Sequence, residues 1–122
     1  MKKYEMYTFT NEKIFEVILN GFFQQEDAKQ FVTDYTSNVK ALNPKDTTMI
    51  IDCKKLSTIK ADLIPDLEQC YKLYMSTGFK RIIFVCPDSS LGTSQLKRVG
   101  RNVNITADFV SSREEAVSLS KS

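Results

Sequence analysis

Aromatic and β-branched residues crowd two stretches near the N-terminus, Tyr4 to Thr10 and Ile14 to Leu19, with the turn-forming Asn11-Glu12-Lys13 between them. The pattern predicts an antiparallel hairpin. Asn20-Gly21 breaks it, and from Ala28 the period changes: Ala28, Phe31, Val32, Tyr35, Val39 and Leu42 fall on one helical face. The helix should end near Asn43, because the residue before a proline is pushed out of the α region. Thr48 to Asp52 is an apolar run without alternation, the mark of a strand buried on both faces, and is expected at the centre of a parallel sheet. After the linker Cys53 to Lys60, the residues Leu63, Leu67, Cys70, Tyr71 and Tyr74 share a second helical face, with Gly78 placed to cap it. Arg81 to Val85 reads as a further buried strand and Leu91 to Val99 as a weaker helix. Thr106 to Val110 reads as a short edge strand, and Ser112-Arg113-Glu114-Glu115 as a capping box opening a last helix through Leu119.

Strands alternating with amphipathic helices require right-handed crossovers and a mostly parallel sheet. The expected architecture is α/β: a single domain over residues 1–122, with a mixed sheet of about five strands, about four helices, and the first hairpin strand antiparallel at one side. At 122 residues and 42% hydrophobic content the chain is near the globular average and needs no disulfide or structural metal to fold. No apolar run reaches the length that spans a bilayer, and the basic start Met1-Lys2-Lys3 is not followed by the apolar segment of an export signal. A cytoplasmic protein without membrane insertion is expected.

Charge changes this picture little. The net charge is +2, with −2 through Asp52 and +4 after it, short of the clustered excess of a nucleic-acid binder. The absent residues say more. Without histidine, Ser-His-Asp and Cys-His catalysis, imidazole metal sites and a histidine pH switch are excluded together. Four glycines form neither a GxGxxG nor a GxxxxGK[ST] phosphate loop. Cys53, Cys70 and Cys86 are odd in number, match no zinc or CxxC spacing and sit among apolar neighbours, where cysteine acts as a small hydrophobe in a reducing compartment. The acid pairs Glu26-Asp27 and Glu114-Glu115 fall at helix starts, where carboxylates complement the helix dipole. No catalytic residue and no cofactor is assigned.

The order of elements, together with Val17-Ile18-Leu19-Asn20-Gly21-Phe22-Phe23, Asp27-Ala28, Ile50-Ile51-Asp52 and Phe109-Val110-Ser111-Ser112-Arg113-Glu114-Glu115-Ala116-Val117, resembles the STAS (SpoIIAA-like) domain family. This family includes bacterial anti-sigma factor antagonists and the cytoplasmic tails of sulfate transporters. The resemblance implies a non-catalytic regulatory interaction module whose partner is a kinase-type anti-sigma factor or a sensor. In the family's antagonists an Asp-Ser-Ser-Gly phrase at the start of the second helix carries the phosphorylated serine. Counted from Asp52, that phrase falls on Lys60, Ala61, Asp62 and Leu63, so the expected acceptor is absent and Asp62 stands at its place. A small register change would bring Ser57 or Thr58 there instead. The resemblance therefore places partner binding at Ser57, Thr58, Lys60, Asp62 and Leu63. A phosphoserine at a helix start would bring about −1.5 to −2 charge, and Asp62 brings −1 at the same place, which would make a permanently phosphate-like surface; the plainer role for Asp62 is to cap or start the helix, and both can hold.

The competing class is a small-ligand domain. A lipid would use the aromatics Phe22, Phe23, Tyr71 and Tyr74, which core packing also explains. A nucleotide would use Lys54, Lys55 and Lys60, or the helical cluster Lys97, Arg98 and Arg101, which solvation also explains. A third possibility is an enzyme with a carboxylate or lysine base, for example Asp52 at the end of a central strand, where open α/β sheets bind ligands; a capping or turn role is the stronger alternative, and no second catalytic group can be named.

Overall fold

A computed structural model describes residues 3–121. Its core is a five-stranded sheet in the order β1-β2-β3-β4-β5, formed by Tyr4–Phe9, Ile14–Gly21, Thr48–Leu56, Arg81–Val85 and Asp108–Val110. β1 is antiparallel to β2, and every later pairing is parallel. The hairpin, the central place of β3 and the edge place of β5 follow the hydrophobic pattern. β5 begins two residues later than that pattern suggests, because only Asp108 to Val110 pair with β4.

The strands march across the sheet in sequence order, so crossovers of one hand carry the helices α1 (Gln25–Val39), α2 (Ile64–Thr77) and α3 (Ser90–Val103) to one face. The larger core lies there: Phe15, Val17, Met49, Ile51 and Phe84 from the sheet meet Phe31, Tyr35, Tyr71, Tyr74, Leu96 and Val99 from the helices. The opposite face is covered by α4 (Arg113–Ser120), whose Ala116 rests on Ile14, Ile50, Ile83, Val85 and Val110. β2 and β3 are therefore buried on both faces, which is why their sequences carry apolar runs.

Helix ends follow local chemistry. Asp27 accepts the Gln24 backbone N–H at 2.8 Å in a capping box that starts α1 three residues before its apolar periodicity. Gly78 adopts φ +83° and closes α2 in the left-handed conformation that glycine takes at no steric cost. Ser89 and Ser112 cap α3 and α4 by accepting the N–H groups of Gly92 and Glu115. α3 continues four residues past Val99, since Gly100 packs beneath Ile105 and Phe109 instead of ending the helix.

Candidate interaction site at the start of the second helix

β2 and β3 run on past the strands beside them. After a register shift between Ile18 and Asn20, Asn20 pairs with Lys55 and Gly21 with Leu56, and Ser57 N–H donates to the Gly21 carbonyl at 3.0 Å. This extension carries the β2–α1 loop and the segment after β3 out together. Residues 57–60 then run without regular structure into a 3₁₀ turn, Ala61–Leu63, that leads directly into α2. α3 holds the segment in place through Gln95: its Oε1 accepts Ile59 N–H at 2.9 Å, and its Nε2 donates to the Ile59 carbonyl at 2.8 Å. Both backbone groups of a loop residue are thereby satisfied by one side chain.

Between the two segments lies a groove of about 340 Å³, lined by Phe23, Gln24 and Glu26 on one side and Lys60, Asp62 and Leu63 on the other. Three of the five residues expected to bind a partner, Lys60, Asp62 and Leu63, thus share one concavity. Ser57 and Thr58 are half-buried at the strand exit and do not line it. The segment that opens the helix, Lys60 to Ile64, contains no hydroxyl.

One expectation is corrected. Asp62 does not cap α2: the residue at the cap position is Leu63, with no side-chain cap bond, and Asp62 is an exposed member of the 3₁₀ turn. Its carboxylate is left facing solvent because the turn carries the chain into the helix without needing a side-chain acceptor. Leu63 is 5% exposed and faces the core as well as the groove wall, so it is a packing residue with one edge at the site.

The other candidate groups are not assembled. Lys54 and Lys55 are consecutive exposed residues at the irregularity in β3. Lys54 Nζ pairs with Asp88 at 2.8 Å and donates to the Ser111 carbonyl at 2.7 Å, which ties it to the α4 side, away from Lys60. Asp52 does not end its strand as expected, since β3 runs on to Leu56; it accepts the Lys54 backbone N–H at 3.0 Å, a local side-chain bond at the register shift. Lys97 and Arg101 share a surface groove with Phe109, whereas Arg98 lies outside it. Among the aromatics, Tyr71 and Tyr74 are core, Phe22 is 53% exposed, and only Phe23 and Tyr74 border a common apolar crevice of about 50 Å³, room for one or two waters. The cysteines are buried and free. Burial pushes the thiols of Cys53, Cys70 and Cys86 up, that of Cys70 to about 11, which keeps them protonated and unreactive near neutrality.

Two features at or near the site have no signature in the sequence. One is the Gln95 clamp. The other is the ion pair of Glu16 in β2 with Arg113, the first residue of α4, which joins the open face of the sheet to its last helix. No helix among the described residues is long and apolar enough to cross a membrane. No cluster of three or more metal-ligating side chains occurs among them.

No protein-family model and no curated protein matches the sequence. Solved structures do. An uncharacterized protein of the DUF3478 family with a SpoIIAA-like fold, from Shewanella loihica PV-4, superposes with a TM-score of 0.69 over 95% of this chain and 90% of its own, at 14% identity. The anti-sigma factor antagonist SpoIIAA in its unphosphorylated form superposes with a TM-score of 0.64 over 97% of each chain, at 13% identity. The chain has the SpoIIAA-like, STAS-type fold expected from its sequence.

Proposed function

We propose that this protein is a non-catalytic interaction module of a bacterial regulatory pathway, and that a regulatory protein of the kinase-type anti-sigma or sensor class docks at the groove between Phe23–Glu26 and Lys60–Leu63. The observation that carries this reading is the exposed Asp62 beside Lys60 in a concavity built by the strand extension and held by Gln95. A structural neighbour that is an anti-sigma factor antagonist supports the same class of role. The site offers a fixed carboxylate in place of a phosphorylatable serine, so recognition rests on a constant charge pattern and is not switched at this position. Ser57 and Thr58 would act as a supporting rim, since they shape the approach to the turn without lining the groove.

The chemistry of the groove supports binding and not turnover. It holds two exposed carboxylates, Glu26 and Asp62, one exposed ammonium, two glutamines and apolar walls, without a base oriented by a second group. Location in the cytoplasm accords with three free cysteines.

The test compares the full chain with Asp62→Arg and Lys60→Glu as baits in lysate of the organism that encodes it, with native mass spectrometry on each purified bait. A kinase-like or sensor protein held by the wild type and lost from both variants is the expected result. Absence of any such protein, with a persistent added mass on the wild-type bait, would replace this reading with small-ligand binding.

A further inference from the structure

The sheet ends on two unequal edges. β5 offers three residues, whereas β1 offers six, and no strand among the described residues pairs with the outer side of β1. Asn20 N–H donates to the Lys3 carbonyl at 2.8 Å, and bonding alternates along an antiparallel pair, so Lys3, Glu5, Tyr7 and Phe9 direct their backbone groups to β2. Tyr4, Met6 and Thr8 therefore present N–H and C=O outward. Of the devices that usually blunt such an edge, Tyr4 to Phe9 carries only the charge of Glu5; it contains no proline or lysine and pairs with β2 without a bulge.

α1 runs beside this edge, and the two enclose a groove of about 610 Å³. The strand contributes Tyr4, Met6 and Tyr7, and the helix contributes Asp27, Asp34 and Asn38. An edge strand facing a parallel wall of helix is the geometry in which an extended peptide adds to a sheet, main chain to main chain, with every second side chain directed at the helix. The helix wall is acidic. Asp34 accepts a hydrogen bond from the Tyr4 hydroxyl and has no ion pair among the described residues. Asp27 has one distant cation, Lys3, at 3.9 Å. Glu5, on the strand's other face, accepts from the Tyr7 hydroxyl at 2.5 Å and likewise lacks an ion pair among these residues.

We propose that this groove binds an extended segment of a partner protein as a sixth strand on β1, with lysine or arginine at the alternate positions that face Asp27 and Asp34 on α1. A second copy of the chain fits poorly. Antiparallel pairing of β1 with itself would bring no cation from Tyr4–Phe9 to these carboxylates and would set two acidic α1 faces against each other. The groove shares no lining residue with the groove at the start of α2, so it is a separate surface and its test is independent of the proposed function.

The experiment titrates the full chain into the fluorescein-labelled peptide Ser-Lys-Thr-Lys-Val-Lys-Thr-Ser at low ionic strength and reads anisotropy, with hydrogen exchange recorded on the complex. The expected result is saturable binding, roughly tenfold weaker or more for the peptide with glutamate in place of lysine and several-fold weaker for Asp34→Asn, which keeps an acceptor for Tyr4. Exchange at the Met6 and Thr8 amides slows on binding. N-methylation of one alternate set of peptide amides abolishes binding while methylation of the other set spares it, since only one side of an added strand bonds to β1. Equal binding of the lysine and glutamate peptides, tolerance of both methylated sets, or unchanged exchange at Met6 and Thr8 would overturn the proposal. Protection of these two amides by self-association, without peptide, would overturn it in favour of a second copy.

Discussion

The guanidinium of Arg113 meets both carboxylate oxygens of Glu16, Nε to Oε2 and Nη2 to Oε1, each at 2.8 Å, although the two residues are 97 positions apart. Glu16 is 2% exposed, while half of the Arg113 side chain remains in solvent. The hydrogen bonds from the guanidinium to Glu16 raise the Arg113 pKa further, so this cation is permanent. Arg113→Ala would leave a buried carboxylate without its donors. The expected cost is about 2–3 kcal/mol, below the full penalty of a wholly buried pair because Arg113 is half exposed. Adding Glu16→Gln to Arg113→Ala should recover part of that loss, because the uncompensated charge is gone. Urea unfolding of the wild type, the single variant and the double variant checks both statements; a double variant no more stable than the single one would contradict the charge argument.

Leu63 and Asp62 are neighbours with opposite roles. Leu63 is buried beneath the groove, beside the apolar crevice, so Leu63→Ala should cost about 2–3 kcal/mol, and Leu63→Asp more, through burial of a charge. Asp62 is exposed, so Asp62→Arg should change stability by no more than about 0.5 kcal/mol while abolishing partner retention. Thermal melts of the three variants beside the binding assay separate the roles. A cooperative melt of Leu63→Asp at the wild-type temperature would place Leu63 on the surface.

Element order was legible because composition and period change along the chain, from the aromatic and β-branched stretch of β1 and the apolar run of β3 to the helical stripe Leu67, Cys70, Tyr71 and Tyr74. Boundaries were legible where a special residue marks them, as Gly78 and Ser112 do. They were not where the marker is ambiguous: Gln24 and Asp27 start α1 with polar side chains that have no place in an apolar stripe, and Gly100 reads as a breaker but is a contact residue. The site was legible only as a segment. That Lys60 and Asp62 face Phe23 across a groove depends on how far β2 and β3 extend together, and that Gln95 clamps Ile59 depends on α3 lying beside the loop. Long-range pairs such as Glu16 and Arg113 leave no local pattern to read.

Gly78 provides a test of backbone conformation apart from packing. A Cβ built there meets nothing within 4 Å, yet its φ of +83° is a conformation that side chains resist. Gly78→Ala should therefore cost about 1–2 kcal/mol through strain alone, and Gly78→Asn less, since asparagine tolerates the left-handed region. Chemical denaturation of both variants gives the ranking. An alanine variant as stable as the wild type would show that the end of α2 rearranges at no cost.

Buried acids of high pKa also predict how stability depends on pH. Burial raises Cys70 from the ordinary thiol value of 9.0 to about 11, and burial raises Tyr35 from 10.0 to about 12 even though a hydrogen bond with Thr77 partly offsets it. Both groups are neutral when protonated, and the folded protein holds their protons more tightly than the unfolded chain. Below the unfolded values their contribution to stability is fully present. As pH rises past 9.0 the unfolded chain releases the Cys70 proton first, and past 10.0 the Tyr35 proton, so stability falls until the folded values near 11 and 12 are passed. Each group contributes a slope of about 1.4 kcal/mol per pH unit within its own window. Urea unfolding between about pH 8 and 11 should therefore show a level region followed by a steepening loss, and Cys70→Ala should lessen the loss just above pH 9.0 without abolishing it, since burial raises Cys53 and Cys86 as well. A wild-type profile that stays level through this range would mean that the two side chains meet water in the folded state.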